Sequence, residues 1–551
     1  MIHGYIIRGT FQDSVTLMAL SRDLAALAGV NRLSIMMGTP ANLDVFRETG
    51  FWHQELAAAG PNDLCIAIDT DDDALAAGMA ERVTGKLAEG ARGQRGEGYP
   101  SVRSWRRARQ MLPQANLALI SVAGHHAFEP ARQALEAGCH VLIFSDNVSL
   151  DQEIELKQLG RSRGLLVMGP DCGTAIIGKA PLAFANRVPA GPIAIIGASG
   201  TGIQELASQI ARMDGGITHA LGLGGRDLSG PVGGISALQA LEFIRADPAS
   251  QVVVFVSKPP AAAVRERVTC ALKAMGKPAV ALFLGEKPGR RIDGQVHFAA
   301  TLDEAARQAT ELARFAALAA GLPGVAGKSV LGLYTGGTLA AEAALLLAEA
   351  LGLDEGGSHA GGRMLDSGGH RVIDLGDDLY TRGRPHPMID PEQRNGMIRG
   401  LAGDGSCGVL LLDIVLGLGS HPDPAGEAAR AVAELRSSRA DAPIVVIATV
   451  TGTPEDPQDL AGQVTKLAGA GIVVAESTRS AALLAAYLTA RIPAPPSAPP
   501  DWLARAPSVI NIGLRRFAED LHACGIPVVH VQWEPAAGGD ERLKRLLAAL
   551  N

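Results

Sequence analysis

Twice in this chain a short apolar, β-branched run ends in a glycine-rich turn and passes directly into a helix-like segment. Residues 193–196 lead into Gly197-Ala198-Ser199-Gly200-Thr201-Gly202 and a helical pattern over 203–213. Residues 330–333 lead into Tyr334-Thr335-Gly336-Gly337-Thr338-Leu339 and an alanine-rich helix. A strand that turns through glycine into a helix leaves the first N–H groups of that helix unpaired and aimed at the turn, which suits phosphate or carboxylate. An ordinary tight βα turn would look the same at either place alone; the pair favours two related anion-holding modules. Ser199, Gly200, Thr201 and Gly202 would form the first cradle, and Gly336, Gly337 and Thr338 the second.

A chain of 551 residues is too long for one core and implies several domains. With 66 glycines, 47% hydrophobic residues and only 4% aromatics, those domains are expected to be alanine- and glycine-rich α/β layers. No apolar run reaches the roughly 18 residues of a membrane helix, and the start lacks a signal-peptide profile. The six cysteines are scattered without a CxxC pair, which argues for a reducing compartment and against disulfides or structural zinc. A formal net charge of −7 offers nucleic acid no general attraction. The expectation is a cytoplasmic protein that binds neither membrane nor nucleic acid.

Residues 1–90 read β-α-β-α-β-α, with strands at 5–7, 33–37 and 64–68, a helix over 14–27, and Thr39 capping a helix that starts at Pro40. Residues 91–112, glycine-rich and charged at their start, read as a linker. Alternation resumes over 113–188, 189–320 and 328–492, at spacings that require parallel sheets because parallel neighbours need a crossover of that length. Strands are expected at 117–122, 141–144 and 165–168; at 193–196, 218–221, 252–256 and 279–284; and at 330–333, 372–374, 409–413, 444–448 and 471–474. The run PAPPSAPP at 493–500 reads as a spacer, and 507–551 as a tail with two strand patterns and a basic last helix. Ligands of parallel sheets bind beyond the carboxyl ends of the strands. That directs attention to the loops at 145–147, 169–174, 222–225, 257–260, 336–338 and 374–378, where Gly224, Gly225 and Lys258 are further anion-binding candidates.

The order of these blocks resembles succinyl-CoA synthetase. Met168-Gly169-Pro170-Asp171-Cys172-Gly173, Ser199-Gly200-Thr201, the Gly222/Gly224/Gly225 strand end and Lys277-Pro278 resemble the α subunit over 113–320. Ile373-Asp374-Leu375-Gly376-Asp377-Asp378 and the strand from Leu411 to Gly417 resemble the carboxy-terminal domain of the β subunit. Together with FQDS (11–14), MMGTPAN (36–42), GFWH (50–53), GRPHPMIDP (383–391) and VINIGLR (509–515), the whole chain is similar to the FdrA family. The resemblance implies a Rossmann-type CoA-binding-like domain followed by two flavodoxin-like parallel-sheet domains. It implies cofactor contacts at Ser145, Asn147, Gly169, Pro170 and Asp171, with CoA and Mg²⁺ as cofactor candidates. The function it implies is a subunit of oxamate carbamoyltransferase, converting oxalurate and phosphate to oxamate and carbamoyl phosphate with partner subunits. A succinyl-CoA synthetase-like acyl-CoA ligase component is the alternative, and a non-catalytic scaffold a third reading. This chain departs from the pattern in three places: it has no counterpart of the ATP-grasp domain, His297 lacks the glycines that flank the α subunit's phosphorylated histidine, and Val122-Ala123-Gly124-His125-His126 replaces the dinucleotide-type glycine loop.

Glu205, four residues after Thr201, matches a glutamate that contacts the phosphohistidine in the α subunit; it fits equally as a first-turn glutamate favoured by the helix dipole. The densest polar stretch runs over 374–390. There Arg384 suits a carboxylate or phosphate, His386 suits proton transfer, and Asp377 with Asp378 suit a divalent cation. With Asp377, Glu205, Arg384 and His386 are the catalytic candidates. Cys172 reads as a buried structural thiol rather than a nucleophile.

Overall fold

The computed structural model describes residues 1–10, 12, 14–92, 98–354, 360–439, 442–490 and 501–534. Thr39 caps the helix Pro40–Glu48 as its sequence predicts, accepting from the Asn42 amide. The amino-terminal sheet has the order Ile2–Ile7, Leu64–Asp69, Arg32–Met37, and its middle strand runs antiparallel to both neighbours.

Two larger sheets share one topology. The central sheet has five parallel strands in the order Ile217–Gly222, Ala190–Gly197, Val252–Ser257, Ala279–Phe283, Val296–Ala299. The distal sheet has the order His370–Asp374, Ser329–Tyr334, Cys407–Val415, Val445–Thr451, Val473–Ala475, again all parallel. Both are the 2-1-3-4-5 arrangement of flavodoxin-like folds. Short hairpin strands absent from the sequence reading extend their edges: Thr174–Ile177 with Ala180–Ala183 and Ile292–Asp293 on the central sheet, Arg363–Ser367 on the distal one. The two units share one hydrophobic core. It runs through Leu206 and Ile210 of the helix Gly200–Arg212, then Ala305, Ala306 and Ala309 of Leu302–Ala320. From there it continues through Ala340, Ala343 and Ala344 of Gly337–Leu351 and Ala481, Ala482 and Ala485 of Thr478–Ala490. Alanine in these stripes lets helices pack closely, which accounts for the chain's composition.

The remaining sheet corrects the boundaries expected from the sequence. Its six parallel strands lie in the order Ser101–Val102, Val528–Val531, Val509–Ile512, Leu117–Ile120, His140–Ile143, Val167–Met168. Residues 101–111, expected in a linker, supply an edge strand and the helix Trp105–Met111. Residues 501–531, expected in a spacer and tail, supply two central strands and the helix Arg515–Ala523. The proline run 493–500 and the expected basic last helix lie outside the described residues. Numbered along the chain, the sheet has the doubly wound order 4-3-2-5-6-1, the first strand standing at the edge where a 3-2-1-4-5-6 sheet has its last, and it is cut open by insertion of both flavodoxin-like units between its fourth and fifth strands. Side chains pin the join: Leu514 N–H donates to Ser121 Oγ at 2.7 Å and Ser508 N–H to Asn116 Oδ1 at 2.9 Å.

Val509, Ile510, Ile512, Val528, Val529 and Val531 are buried, each contributing about 1.5–3 kcal/mol. A chain ending at residue 492 is therefore expected to expose Leu117–Ile120 as a bare edge. Limited proteolysis should then cleave within 98–170 while 190–490 stays resistant.

Candidate functional site

The first glycine unit is built where three strands end. Ser199 caps the helix Gly200–Arg212 by accepting from Gly202 N–H at 3.2 Å. Ala198 N–H is tied to Val256 O, and Gly197 O accepts from Leu223 N–H. The amides of Gly200 and Thr201 meet no acceptor among the described residues, and the Thr201 side chain is exposed. Loop 169–174 lies against this turn: a Cβ on Gly200 would come 3.4 Å from Thr174 Oγ1. Loop 222–225 lies in turn against loop 169–174, since a Cβ on Gly224 would collide with Pro170 O and one on Gly225 would come 3.0 Å from Asp171 Oδ2. Gly224 has φ +81°, a conformation that glycine adopts without strain. Lys258, exposed beyond the strand Val252–Ser257, acts with Arg226 electrostatically on Asp171. Burial and then the Asp146 charge push the Asp171 carboxyl above its usual range, against the pull of Arg226 and Lys258. The structure therefore brings Gly200, Thr201, Asp171, Gly224, Gly225 and Lys258 to one place. Gly202 is spent on its cap.

A buried charge network that the sequence reading missed sets this geometry. Lys157 Nζ, on the helix Leu150–Ser162, donates to Asp227 Oδ1 at 2.7 Å and to Leu223 O at 3.2 Å. Glu153 lies 3.0 Å from Lys157 Nζ and 2.9 Å from Arg226 Nη2, held by charge with oxygens that make no aligned hydrogen bond. Asp227 also accepts the amides of Ser236 and Ala237. Lys157, Glu153 and Asp227 are fully buried, and they bracket the 222–225 loop, joining the split sheet to the central one.

Of the five expected cofactor contacts, three are occupied by the fold. Ser145 Oγ is buried and donates to Val122 O at 2.5 Å, and Gly169 and Pro170 are buried beneath loop 222–225. Asn147 and Asp171, both at positive φ, remain exposed. Cys172 is buried as expected, its thiol pushed up to about 12 by burial. Glu205 is turned down its own helix, accepting from Gln209 Nε2 at 2.6 Å and facing Arg212 at 3.5 Å.

The second glycine unit differs: its strand exit is already filled by the protein's own carboxylates. Asp413 accepts from the amides of Thr335 (2.7 Å) and Gly336 (2.8 Å) and from Thr335 Oγ1 (3.0 Å), and Arg394 donates to Asp413 O at 2.7 Å. Asp413 and Arg394 are both fully buried. Asp374 Oδ2 would stand 2.6 Å from a Cβ on Gly337. The expected anion cradle at Gly336, Gly337 and Thr338 is thus corrected at Gly336, whose amide an internal carboxylate takes; the first-turn amides of Gly337 and Thr338 meet no acceptor among the described residues, with Asp374 crowding Gly337 and Thr338 exposed. The signal available was Asp413 alone inside the apolar run 409–416.

Around that plug the structure gathers part of the 374–390 stretch. His386 Nε2 would lie 3.0 Å from a Cβ on Gly376, whose amide donates to Asp374 Oδ1 at 2.8 Å. Burial raises the Asp374 carboxyl; the Gly376 amide opposes this, Asp377 adds to it and His386 lowers it. Asp377 is a helix cap, accepting from Leu379 N–H at 2.8 Å, and Asp378 opens that short helix. No group of three or more metal-donating side chains occurs among the described residues. Arg384 is exposed, with no ion pair among the described residues. His297 sits within the strand Val296–Ala299, and burial first, then Arg479, lowers its pKa to about 4. No helix among the described residues is long and apolar enough to cross a membrane.

Comparison with known proteins gives three family matches: "AllF, heavy metal-associated domain" over residues 1–101, "CoA binding domain" over 190–285, and "CoA-ligase" over 333–488. The CoA-binding match falls on the central sheet, where the resemblance implied the ligase domain, and not on 113–188. The chain is 38% identical over 504 residues to the uncharacterized protein YahF of Escherichia coli, covering 86% of this chain and 96% of that one. It is 27% identical over 216 residues to the ADP-forming sulfoacetate-CoA ligase subunit SauD of Bilophila wadsworthia, covering 38% and 71%. An α subunit of ADP-forming succinate–CoA ligase from Methanothermobacter thermautotrophicus is 26% identical over 182 residues, covering 32% and 60%. Among solved structures, the apo dinucleotide-forming acetyl-coenzyme A synthetase 1 of Ca. Korarchaeum cryptofilum aligns at TM-score 0.40 and 16% identity, over 68% of this chain and 83% of that one.

Removing one partner of a buried ion pair leaves an uncompensated charge, at a cost of about 3–5 kcal/mol. Lys157→Met is expected to lower the denaturation midpoint accordingly, since Glu153 and Asp227 would then face each other without the ammonium. Asp413→Ala is expected to cost a similar amount, with a signature of its own. Phosphate should raise the melting temperature of that variant more than that of the wild type, because the Thr335 and Gly336 amides become available.

Proposed function

The chain belongs to the FdrA family and is a succinyl-CoA synthetase-like protein of acyl-CoA-ligase type; on that premise we propose that it moves an acyl group between phosphate and a thiol at the site under Gly200, Thr201 and Lys258. The observation that carries this reading is the contrast between the two glycine units. In the second, Asp413 takes the amides of Thr335 and Gly336 just ahead of the helix and Asp374 crowds Gly337 at its start, whereas the first has Thr174 and Gly173 against Gly200 and leaves the helix-start amides of Gly200 and Thr201 open beside an exposed lysine.

Catalysis there needs positioning and charge stabilisation rather than a protein nucleophile. Gly200 and Thr201 N–H would hold two phosphate oxygens and Lys258 Nζ would balance the charge. As the thiol sulfur bonds to the acyl carbon of an acyl phosphate, the C–O bond to phosphate breaks, the thiol proton leaves to water, and the leaving phosphate keeps the electron pair. CoA, when bound, supplies the thiol; Asn147 and Asp171 are the exposed residues of the expected set that would meet it. Gly225, without a Cβ, keeps the approach to Asp171 clear.

His297 lies half-buried within a strand and lacks flanking glycines, which disfavours it as a phosphoryl carrier and favours phosphate entering from solution. The same feature favours a second reading, phosphorolysis of oxalurate to oxamate and carbamoyl phosphate by the same cradle, with partner subunits. The experiment follows phosphate- or arsenate-dependent thiol release from succinyl-CoA and, in parallel, carbamoyl phosphate formation from oxalurate. Thiol release supports the first reading and carbamoyl phosphate the second. Lys258→Ala is expected to lower kcat/KM for phosphate by about 100-fold, as for loss of an oxyanion donor. An unchanged value in that variant, or no phosphate-dependent reaction of either kind, would overturn the assignment.

A further inference from the structure

A cavity of about 450 Å³ opens on the central sheet, on the far side of the strand Val252–Ser257 from the Gly200 cradle. Its floor is aromatic. Ala281 and Phe283 share one face of their strand, and the register Ala281↔Phe298 sets the second ring beside the small alanine. One wall is the helix Ala262–Lys273, whose Arg265 and Thr269 stand one turn apart. The rim is the loop 286–290, carrying Lys287 and Arg290.

The charges of this cavity do not cancel. Arg265 is paired with Glu286, and Asp293 is taken by Lys273. Lys287 and Arg290, both exposed, have no ion pair among the described residues. A volume in the range of small-ligand sites, an apolar floor and two unspent cations at the mouth define a guest of one kind. An aromatic ring would lie against Phe283 and Phe298, and a phosphate or carboxylate would meet the guanidinium and ammonium.

We propose that this cavity binds a small anion bearing a planar ring, either a nucleoside phosphate or a simple aryl phosphate. The site is separate from the cradle of the proposed transfer reaction and does not depend on that reading. Calorimetric titration of the full chain with ADP and with phenyl phosphate tests it and distinguishes the two sources. Saturable binding of either is expected, with inorganic phosphate binding more weakly than both. The double variant Lys287→Glu/Arg290→Glu lies on an exposed loop and should fold; it is expected to weaken binding by about tenfold or more, the scale of lost charge-assisted hydrogen bonds. Phe298→Ala should weaken it too, while Lys258→Ala should leave it unchanged. No binding of either probe, or binding that survives the double charge reversal, would overturn the proposal.

Discussion

Lys157 is the hinge of this architecture in the energetic sense. Three fully buried charges, with Arg226 at their edge, lie between the helix Leu150–Ser162 and the loop that leaves Ile217–Gly222. Charges out of water are tolerated only when each is compensated, so the two sheets can dock in few registers other than this one. That register presses Gly224 on Pro170 and Gly225 on Asp171, and it sets Arg226 and Lys258 within electrostatic reach of the same carboxylate. The open cradle at Gly200 is thus a product of domain docking as much as of its own turn.

The two flavodoxin-like units share strand order, and each ends its first strand in a glycine turn, yet one internal substitution of role separates them. In the distal unit Asp413 supplies the carboxylate that an external anion would otherwise bring, and Arg394 supplies its counter-charge. A helix start filled in this way has its positive end neutralised from within. In the central unit the equivalent positions are Ala198, whose amide is tied to Val256 O, and the cap Ser199, and Thr174 stands against the helix start at Gly200 where Asp374 stands against Gly337. Duplication of a fold has therefore not duplicated a binding site: one half stiffens the pair through the shared alanine-lined core, and the other half faces outward.

The split sheet explains a second asymmetry. Its strands Leu117–Ile120 and Val509–Ile512 pair directly although almost four hundred positions separate them. After two further strands of the same sheet, His140–Ile143 and Val167–Met168, both flavodoxin-like units are inserted before Val509–Ile512 closes it. The closing strands come last in the chain, and the interior of that sheet stays incomplete without them.

Strand and helix periods were legible in the sequence wherever apolar runs alternate with glycine turns. The parallel sheets, the Thr39 cap, the buried Cys172 and the two glycine units all follow from local pattern, because backbone conformation and face-by-face burial repeat at short range. Partnership across the chain was not legible. Nothing local says that residues 509–531 complete a sheet begun at 117, that Lys157 meets Asp227, or that Asp413 reaches the amides of Thr335 and Gly336. Glu205 and Asp377 show the same limit at smaller scale, since a carboxylate beside a helix start reads alike whether it faces a ligand, its own backbone or a neighbouring side chain. Local sequence decides which groups are exposed at a turn. Only the packed chain decides whether another part of the same molecule has already taken them.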